Sequence, residues 1–128
     1  MKWQIQHFDV VQSTNETAKN FPANTVIVAS CQTGGKGRLG RVWESPKGNL
    51  YCSIVVADRG NLSPLLAFVA SVAVAESLAD FHPALKWPND ILIDGKKCAG
   101  LLLERTENTI IIGIGLNLIS APTKGMLY

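Results

Sequence analysis

A chain of 128 residues has room for one domain with a core of its own, and 47% hydrophobic against 17% charged residues excludes a disordered polymer. The formal charge of +2 is too small for general nucleic-acid binding, and the longest apolar run, residues 65–75, is broken by Ser71 and falls far short of the roughly 20 residues that span a bilayer. Cys31, Cys52 and Cys98 lie far apart without a CxxC pair, which argues against a zinc site or a disulfide framework and predicts buried thiols in a reducing cytosol.

Residues 3–11 alternate polar and apolar side chains, which predicts a strand and shows no apolar segment of the kind a signal peptide carries. Ser13, Thr14, Asn15 and Glu16 form the S-x-x-E pattern of a capping box, so a helix starts there, and Pro22 keeps it short. Residues 25–31 are rich in β-branched side chains and predict a buried strand.

The next stretch, QTGGKGRLGRVWESPKG from Gln32 to Gly48, packs Gly34, Gly35, Gly37 and Gly40 among Lys36, Arg38 and Arg41, with no acid before Glu44. Glycines let backbone N–H groups approach a ligand and the cations supply the charge an anion needs, so the loop is either an anion-binding element or a solvated hairpin tip. Gly35, Gly37 and Gly40 satisfy GxGxxG, yet Trp43, Glu44, Ser45 and Pro46 follow where a dinucleotide site would open a helix. A P-loop fails as well, because Arg41 and Val42 stand where Lys and Ser or Thr are required.

Residues 49–56 leave the loop as another strand, and Ser63 and Pro64 supply an N-cap and a first-turn proline for the principal helix. It runs to about Asp80, with Leu66, Val69, Ala70, Ala73 and Val74 as its sheet-facing residues, and His82 and Pro83 end it. His7 and His82 receive no catalytic role. From residue 84 onward strands dominate: residues 85–87, residues 91–93, an Asp94-Gly95 hairpin turn, residues 96–104, a turn over 105–108, and residues 109–118. These hairpins predict an α+β fold, with a mixed, largely antiparallel sheet and helices packed on it. No repeat, low-complexity tract or linker interrupts it.

Several residues carry two readings. Ser13 caps a helix or lines a site. Asn89 and Asp90, after Lys86, Trp87 and Pro88, are turn residues, or else Asp90 holds Mg2+ against phosphates. Lys97 is an exposed hairpin lysine or lies beside a ligand, for which Ala99 and Gly100 leave space. Gly113 and Gly115 strip side chains from one face of the last strand, with Asn117 expected on that same face; since strand glycines cost stability, a ligand approaching there explains them.

Taken together, STN at Ser13, the run from Gln32, KWPND at Lys86, GKKCAGLLLE at Gly95 and GIGLN at Gly113 resemble the ordered motifs of biotin protein ligases over nearly the whole chain. The resemblance implies a fold related to class II aminoacyl-tRNA synthetases and lipoate ligases. It also implies a two-step reaction: biotin and ATP give biotinyl-5′-AMP and pyrophosphate, then a lysine of a biotin carboxyl carrier protein takes the biotinyl group. No enzyme nucleophile is needed, which agrees with the lack of a plausible Ser or Cys triad.

Carried over by motif, Ser13, Thr14 and Gln32 line the biotin pocket, the backbone at Gly35 and Lys36 passes close to the ligand, and Arg38 and Arg41 face the phosphates. Trp43 helps the loop cover the intermediate. Lys97, with Arg38, is the catalytic cation and bridges the biotin carboxylate and the α-phosphate; Gly100 makes room beside it. Asn89 and Asp90 support the nucleotide and Mg2+, with Asp90 as metal ligand, and Gly113, Gly115 and Asn117 complete the biotin wall and adenine site. Lys36 departs from the family, which commonly has Arg there, and so lacks a planar fork.

Set against the family, residues 1–128 are expected to form a catalytic domain without its last helical part or the small C-terminal β-barrel, since the sequence closes on Met126, Leu127 and Tyr128, and without an N-terminal DNA-binding domain. The expected partners are biotin, ATP and the carrier protein, in the cytoplasm, with no DNA and no membrane, and with room for a homodimer. Rival readings are a lipoate or octanoyl transferase relative, a non-catalytic biotin or adenylate binder, and, least favoured, a basic RNA-binding module.

Overall fold

A computed structural model describes residues 2–60 and 63–121, with backbone only for Ser63 and Pro64. The expected capping by those two side chains and the chain end at Met126, Leu127 and Tyr128 therefore lie outside the described residues. In chain order the elements are β1 (Gln4–Val11), α1 (Thr14–Ala18), β2 (Thr25–Gln32), β3 (Leu50–Ala57), α2 (Ser63–Ser77), β4 (Ala84–Lys86), β5 (Asp90–Ile93), β6 (Lys96–Arg105) and β7 (Thr109–Leu116). They build the expected α+β fold around one seven-stranded sheet in the order β1-β2-β3-β7-β6-β5-β4.

The sheet is mixed because of its first pair alone. β1 and β2 run parallel, with α1 as the crossover between them, and every other neighbouring pair is antiparallel. The Asp94-Gly95 turn joins β5 to β6 with both residues at positive φ, 53° and 75°, as a tight hairpin turn demands.

Alternation along the strands gives the sheet two apolar faces. On one, Ile91, Ala99, Leu101, Ile110, Ile112 and Leu116 pack beneath Leu66, Ala70, Val74 and Leu78 of α2 and its C-terminal extension. On the other, Ala18 of α1 seals Ile27, Val55 and Ile111, with Phe8 and Phe21 at the margin. Ile111 and Val55 are fully buried, and each such side chain contributes about 1.5–3 kcal/mol over an exposed one.

Three expectations change here. The α2 face on the sheet carries Leu66, Ala70 and Val74, whereas Val69 and Ala73 point outward, because the helix is apolar nearly all round and its periodicity does not mark one face. A 3₁₀ turn over Ala79–Phe81 follows α2, and His82 closes it in the left-handed region. Of the cysteines, only Cys52 is fully buried; Cys31 and Cys98 are partly exposed, and all three are free thiols. Burial pushes the Cys52 thiol up to about 11, so it stays protonated at neutral pH.

Candidate functional site

The cleft lies on the α1 face, between the N-terminus of α1, the strand ends of β5 to β7 and the loop after β2, and encloses about 390 Å³. That volume is within the range of small-molecule sites.

One end is polar. Ser13 is in extended backbone geometry and its Oγ accepts the Glu16 N–H at 3.4 Å, so the capping role holds. The capping box is only half made, because the Glu16 carboxylate turns to Lys19 and Lys36. Thr14 N–H donates to Gln32 Oε1 at 2.7 Å, and Gln32 Nε2 donates to Ser45 Oγ at 2.9 Å, which in turn donates to Trp43 O at 2.8 Å. Ser13, Thr14 and Gln32 thus meet at one wall, two of them on the helix start and one on β2.

The floor is bare backbone. Gly100 on β6 and Gly115 on β7 are register partners, and the Trp43 indole lies over both: a Cβ at Gly115 would stand 2.5 Å from Nε1, one at Gly100 3.0 Å from the ring. Gly113 makes room for Asn15 instead, whose Oδ1 would be 2.4 Å from a Cβ there. The strand glycines are therefore demanded by protein groups that reach across the sheet, with Trp43 covering the place where a ligand was expected.

The other end is cationic. Lys97 Nζ pairs with Asp90 Oδ1 at 3.2 Å and lies 5.2 Å from the Trp43 ring centroid, in cation–π range. A β-bulge puts it there. Asp90 pairs with Gly100 and Ile91 with Ala99, but Leu92 pairs with Lys97, leaving Cys98 as the extra residue. In an unbroken strand Lys97 would share the core face of Ala99 and Leu101; the bulge turns it to the cleft beside Gly100.

The glycine-rich loop folds as a small hairpin. Lys36 and Val42 form an antiparallel bridge, Gly37 N–H donates to Arg41 O at 2.7 Å, and the tip spans Arg38–Gly40, with Leu39 and Gly40 at positive φ. Arg38 and Arg41 line the cleft from this hairpin, are exposed and have no acidic partner among the described residues. Lys36 is tied back to α1 and β6 by Glu16 and by Glu104, the latter at 3.8 Å. Contact with Lys36 and Lys19 holds the Glu16 carboxyl down at about 2, and contact with Glu16 raises the Lys19 ammonium.

Most of the residues singled out from sequence line this cleft: Ser13, Thr14, Gln32, Lys36, Arg38, Arg41, Trp43, Asn89, Asp90, Lys97, Gly100, Gly113 and Gly115. Two do not. Gly35 is buried beneath the loop itself, where a Cβ would meet Trp43 O at 2.3 Å and Ser45 Oγ at 2.5 Å. Asn117 lies beyond the end of β7; its N–H donates to Cys98 O and its Oδ1 faces Asn49. The strand ends at Leu116, so the alternation expected to carry Asn117 onto the glycine face stops first.

Asn89 is buried and its amide donates to Leu101 O while Leu101 N–H returns to Asn89 O, a clamp of the strand end onto β6. Asp90 offers one carboxylate, which faces the Lys97 ammonium, and no group of three His, Cys, Asp or Glu side chains converges among the described residues, so a magnesium ion at Asp90 would take its other ligands from substrate phosphates and water. Sequence reasoning overlooked Asn15 as a wall residue, and Val42, Leu101, Leu102 and Ile114 as apolar lining. Asn15 was hidden inside a run already explained as a helix start.

A mixed sheet holding a polar pocket at a helix start, a glycine floor and a cationic hairpin defines a small-molecule site suited to an anionic ligand. The chain belongs to the biotin/lipoate A/B protein ligase family, whose profile matches residues 7–117. Among characterised relatives, the bifunctional ligase/repressor BirA of Bacillus subtilis is 39% identical over 138 residues, covering 95% of this chain and 42% of the relative. The biotin–[acetyl-CoA-carboxylase] ligase of Paracoccus denitrificans is 37% identical over 84% of this chain and 50% of its own. The chain thus spans about half the length, or less, of these relatives.

Among solved structures, biotin protein ligase from Aquifex aeolicus in complex with biotin and ATP superposes with a TM-score of 0.85 at 34% identity, over 94% of this chain and 56% of that one. The Leishmania major enzyme in complex with biotinyl-5-AMP gives 0.82 at 35% identity, over 94% and 59%.

Proposed function

We propose that residues 1–128 form a catalytic unit of a biotin protein ligase, which activates biotin with ATP and passes it to a lysine of a biotin carboxyl carrier protein in the cytoplasm. The observation that carries this reading is the polarity of one cleft: neutral hydrogen-bonding groups Ser13, Thr14 and Gln32 at one end and the cations Lys97, Arg38 and Arg41 at the other. A bicyclic urea with a carboxylate tail matches that layout, head to the neutral end and carboxylate toward Lys97. Membership of the family and the ligands named in the related structures point the same way.

In the first step a biotin carboxylate oxygen attacks the α-phosphorus of ATP; the new O–P bond forms as the bond to pyrophosphate breaks. Lys97 would neutralise carboxylate and phosphate as they meet, and Arg38 and Arg41 would hold the phosphate oxygens, so the protein contributes position and charge. In the second step the carrier's neutral lysine amine attacks the acyl carbon, AMP leaves and the amine loses a proton. The indole of Trp43 over the floor and the hairpin above it would keep water from the anhydride between those steps. Asp90 would supply one carboxylate to a magnesium ion shared with the ATP phosphates, whose charge the ion would help to neutralise.

The test is biotin-dependent exchange of labelled pyrophosphate into ATP by this chain. Exchange supports adenylation. Biotin binding without exchange would make the chain a binder, and lipoate outcompeting biotin would move it to the other branch of its family. A dithiolane ring has no N–H to offer the neutral end, which favours biotin.

A further inference from the structure

Behind the neutral end of the cleft lies a buried hydroxyl that is not part of its lining. Ser53, on β3, is completely buried and outside the cleft lining, yet its Oγ stands 2.7 Å from Thr14 Oγ1 and 2.5 Å from Asn15 Oδ1. A serine has one proton for these two contacts, and its direction follows from the neighbours. Asn15 Nδ2 donates to Leu102 O at 3.2 Å and to Glu104 Oε1 at 3.0 Å, both pure acceptors, which fixes Asn15 Oδ1 as the oxygen facing Ser53.

Ser53 must therefore donate to Asn15, and the remaining contact is satisfied only if Thr14 donates its own proton down to Ser53. Toward the cleft, Thr14 Oγ1 then presents lone pairs alone. We infer that Ser53 and Asn15 are positioning residues that lock the Thr14 hydroxyl as an acceptor, so that the site selects a ligand ring carrying an N–H at that point. The inference deepens the biotin reading and rests on it: a cyclic urea supplies such a donor, whereas a ring of carbon and sulfur does not. Glu104 anchors the relay from the far side, and Gly113 leaves the space in which Asn15 stands.

Without Ser53, Thr14 is free to turn its proton into the cleft, where it would oppose the ligand's N–H, donor against donor. The experiment is a double-mutant cycle by calorimetry on this chain with biotin, using Ser53→Ala, Thr14→Val and the pair, with ATP binding and thermal midpoint measured alongside. Ser53→Ala should weaken biotin about tenfold and leave ATP affinity within about twofold, and the pair should bind no more than about twofold worse than Thr14→Val alone. Unchanged biotin affinity in Ser53→Ala, equal losses of biotin and ATP, or additive effects would each overturn the inference. Should Ser53→Ala fail to fold, Ser53→Cys fills the space with a slightly larger side chain that is a poorer acceptor and is read by the same criteria. Wild-type chain that binds no biotin at all would sink the function reading itself, a separate outcome.

Discussion

Lys97 and Asp90 form an ion pair at 3.2 Å without being register partners, since Asp90 sits opposite Gly100 and Lys97 opposite Leu92. The pair exists because one extra residue, Cys98, kinks β6 and rolls the lysine out of the core face. Neither side chain of the pair is more than about a fifth exposed, with side-chain values of 16% and 21%, so the charges interact in a setting where water screens them poorly. Asp90 holds Lys97 ready at the cationic end of the cleft.

Lys97→Ala should therefore reduce pyrophosphate exchange by about 10²–10³-fold, the scale of losing one preorganised electrostatic group. Asp90→Asn should cost less, because it frees Lys97 without removing it. Exchange rates of the two variants at saturating biotin and ATP check this; full activity in Lys97→Ala would take the lysine out of the chemistry.

Arg38 sits at the hairpin tip with no acidic partner among the described residues, so its charge is available to a ligand and costs the fold little to remove. Arg38→Gly should leave the thermal midpoint nearly unchanged and weaken retention of the acyl-adenylate by about 1.5–3 kcal/mol for one charge-assisted hydrogen bond. Released adenylate acylates bystander amines, so labelling of a non-cognate protein should rise. Retention equal to wild type would show that the hairpin holds the intermediate by other groups.

What the sequence made legible was local. Alternation located β1, β-branched content located β2, and apolar runs between turn and loop signals located β3, β6 and β7, each within a residue or two, and Asp94-Gly95 marked its hairpin because few residue pairs accept two positive φ angles. The parallel pairing of β1 with β2 and the place of β7 between β3 and β6 depend on contacts remote in sequence, which periodicity does not encode. The Cys98 bulge was invisible for a related reason: strict alternation puts Lys97 with Ala99, and only the partner strand shows the slip. At the site, charge and glycine stood out, so Lys97, Arg38, Gly100 and Gly115 were found. Ser53 and Asn15 were not, because a buried serine in a strand and an asparagine in a helix start each have an ordinary explanation until their side chains are seen to meet.

Gly113 and Gly115 look equivalent in sequence and should fail differently. Gly115→Ala pushes a methyl against the Trp43 indole, so the ring should lift from the floor, red-shifting tryptophan emission and loosening ligand binding with little loss of stability. Gly113→Ala strikes Asn15, which is buried and bonded to Ser53, Leu102 and Glu104 and has nowhere to go. Overpacking there should cost about 1–3 kcal/mol in denaturant unfolding. Equal effects of the two substitutions on stability and emission would contradict this division.

The link between the hairpin and α1 is ionic, and its pH dependence can be worked out from Glu16. Lys36 and Lys19 hold the Glu16 carboxyl at about 2 in the folded chain, below its ordinary 4.5, so the unfolded chain binds the proton more readily. Stability from this contact is therefore fully present above about pH 4.5 and is lost as pH falls from there through about 2. The carboxylate's side chain is 39% exposed, and solvent and salt screen it, so the amount is that of a surface network, about 1 kcal/mol or less. Glu16→Gln should remove that part of the acid dependence and leave the neutral-pH unfolding midpoint slightly lower. It should also loosen the hairpin, seen as faster proteolysis between Lys36 and Arg41, and added salt should mimic the substitution in the wild type. A pH profile of unfolding between 5 and 2 that is identical in the two proteins would mean that Lys36 and Lys19 do not hold Glu16 in solution.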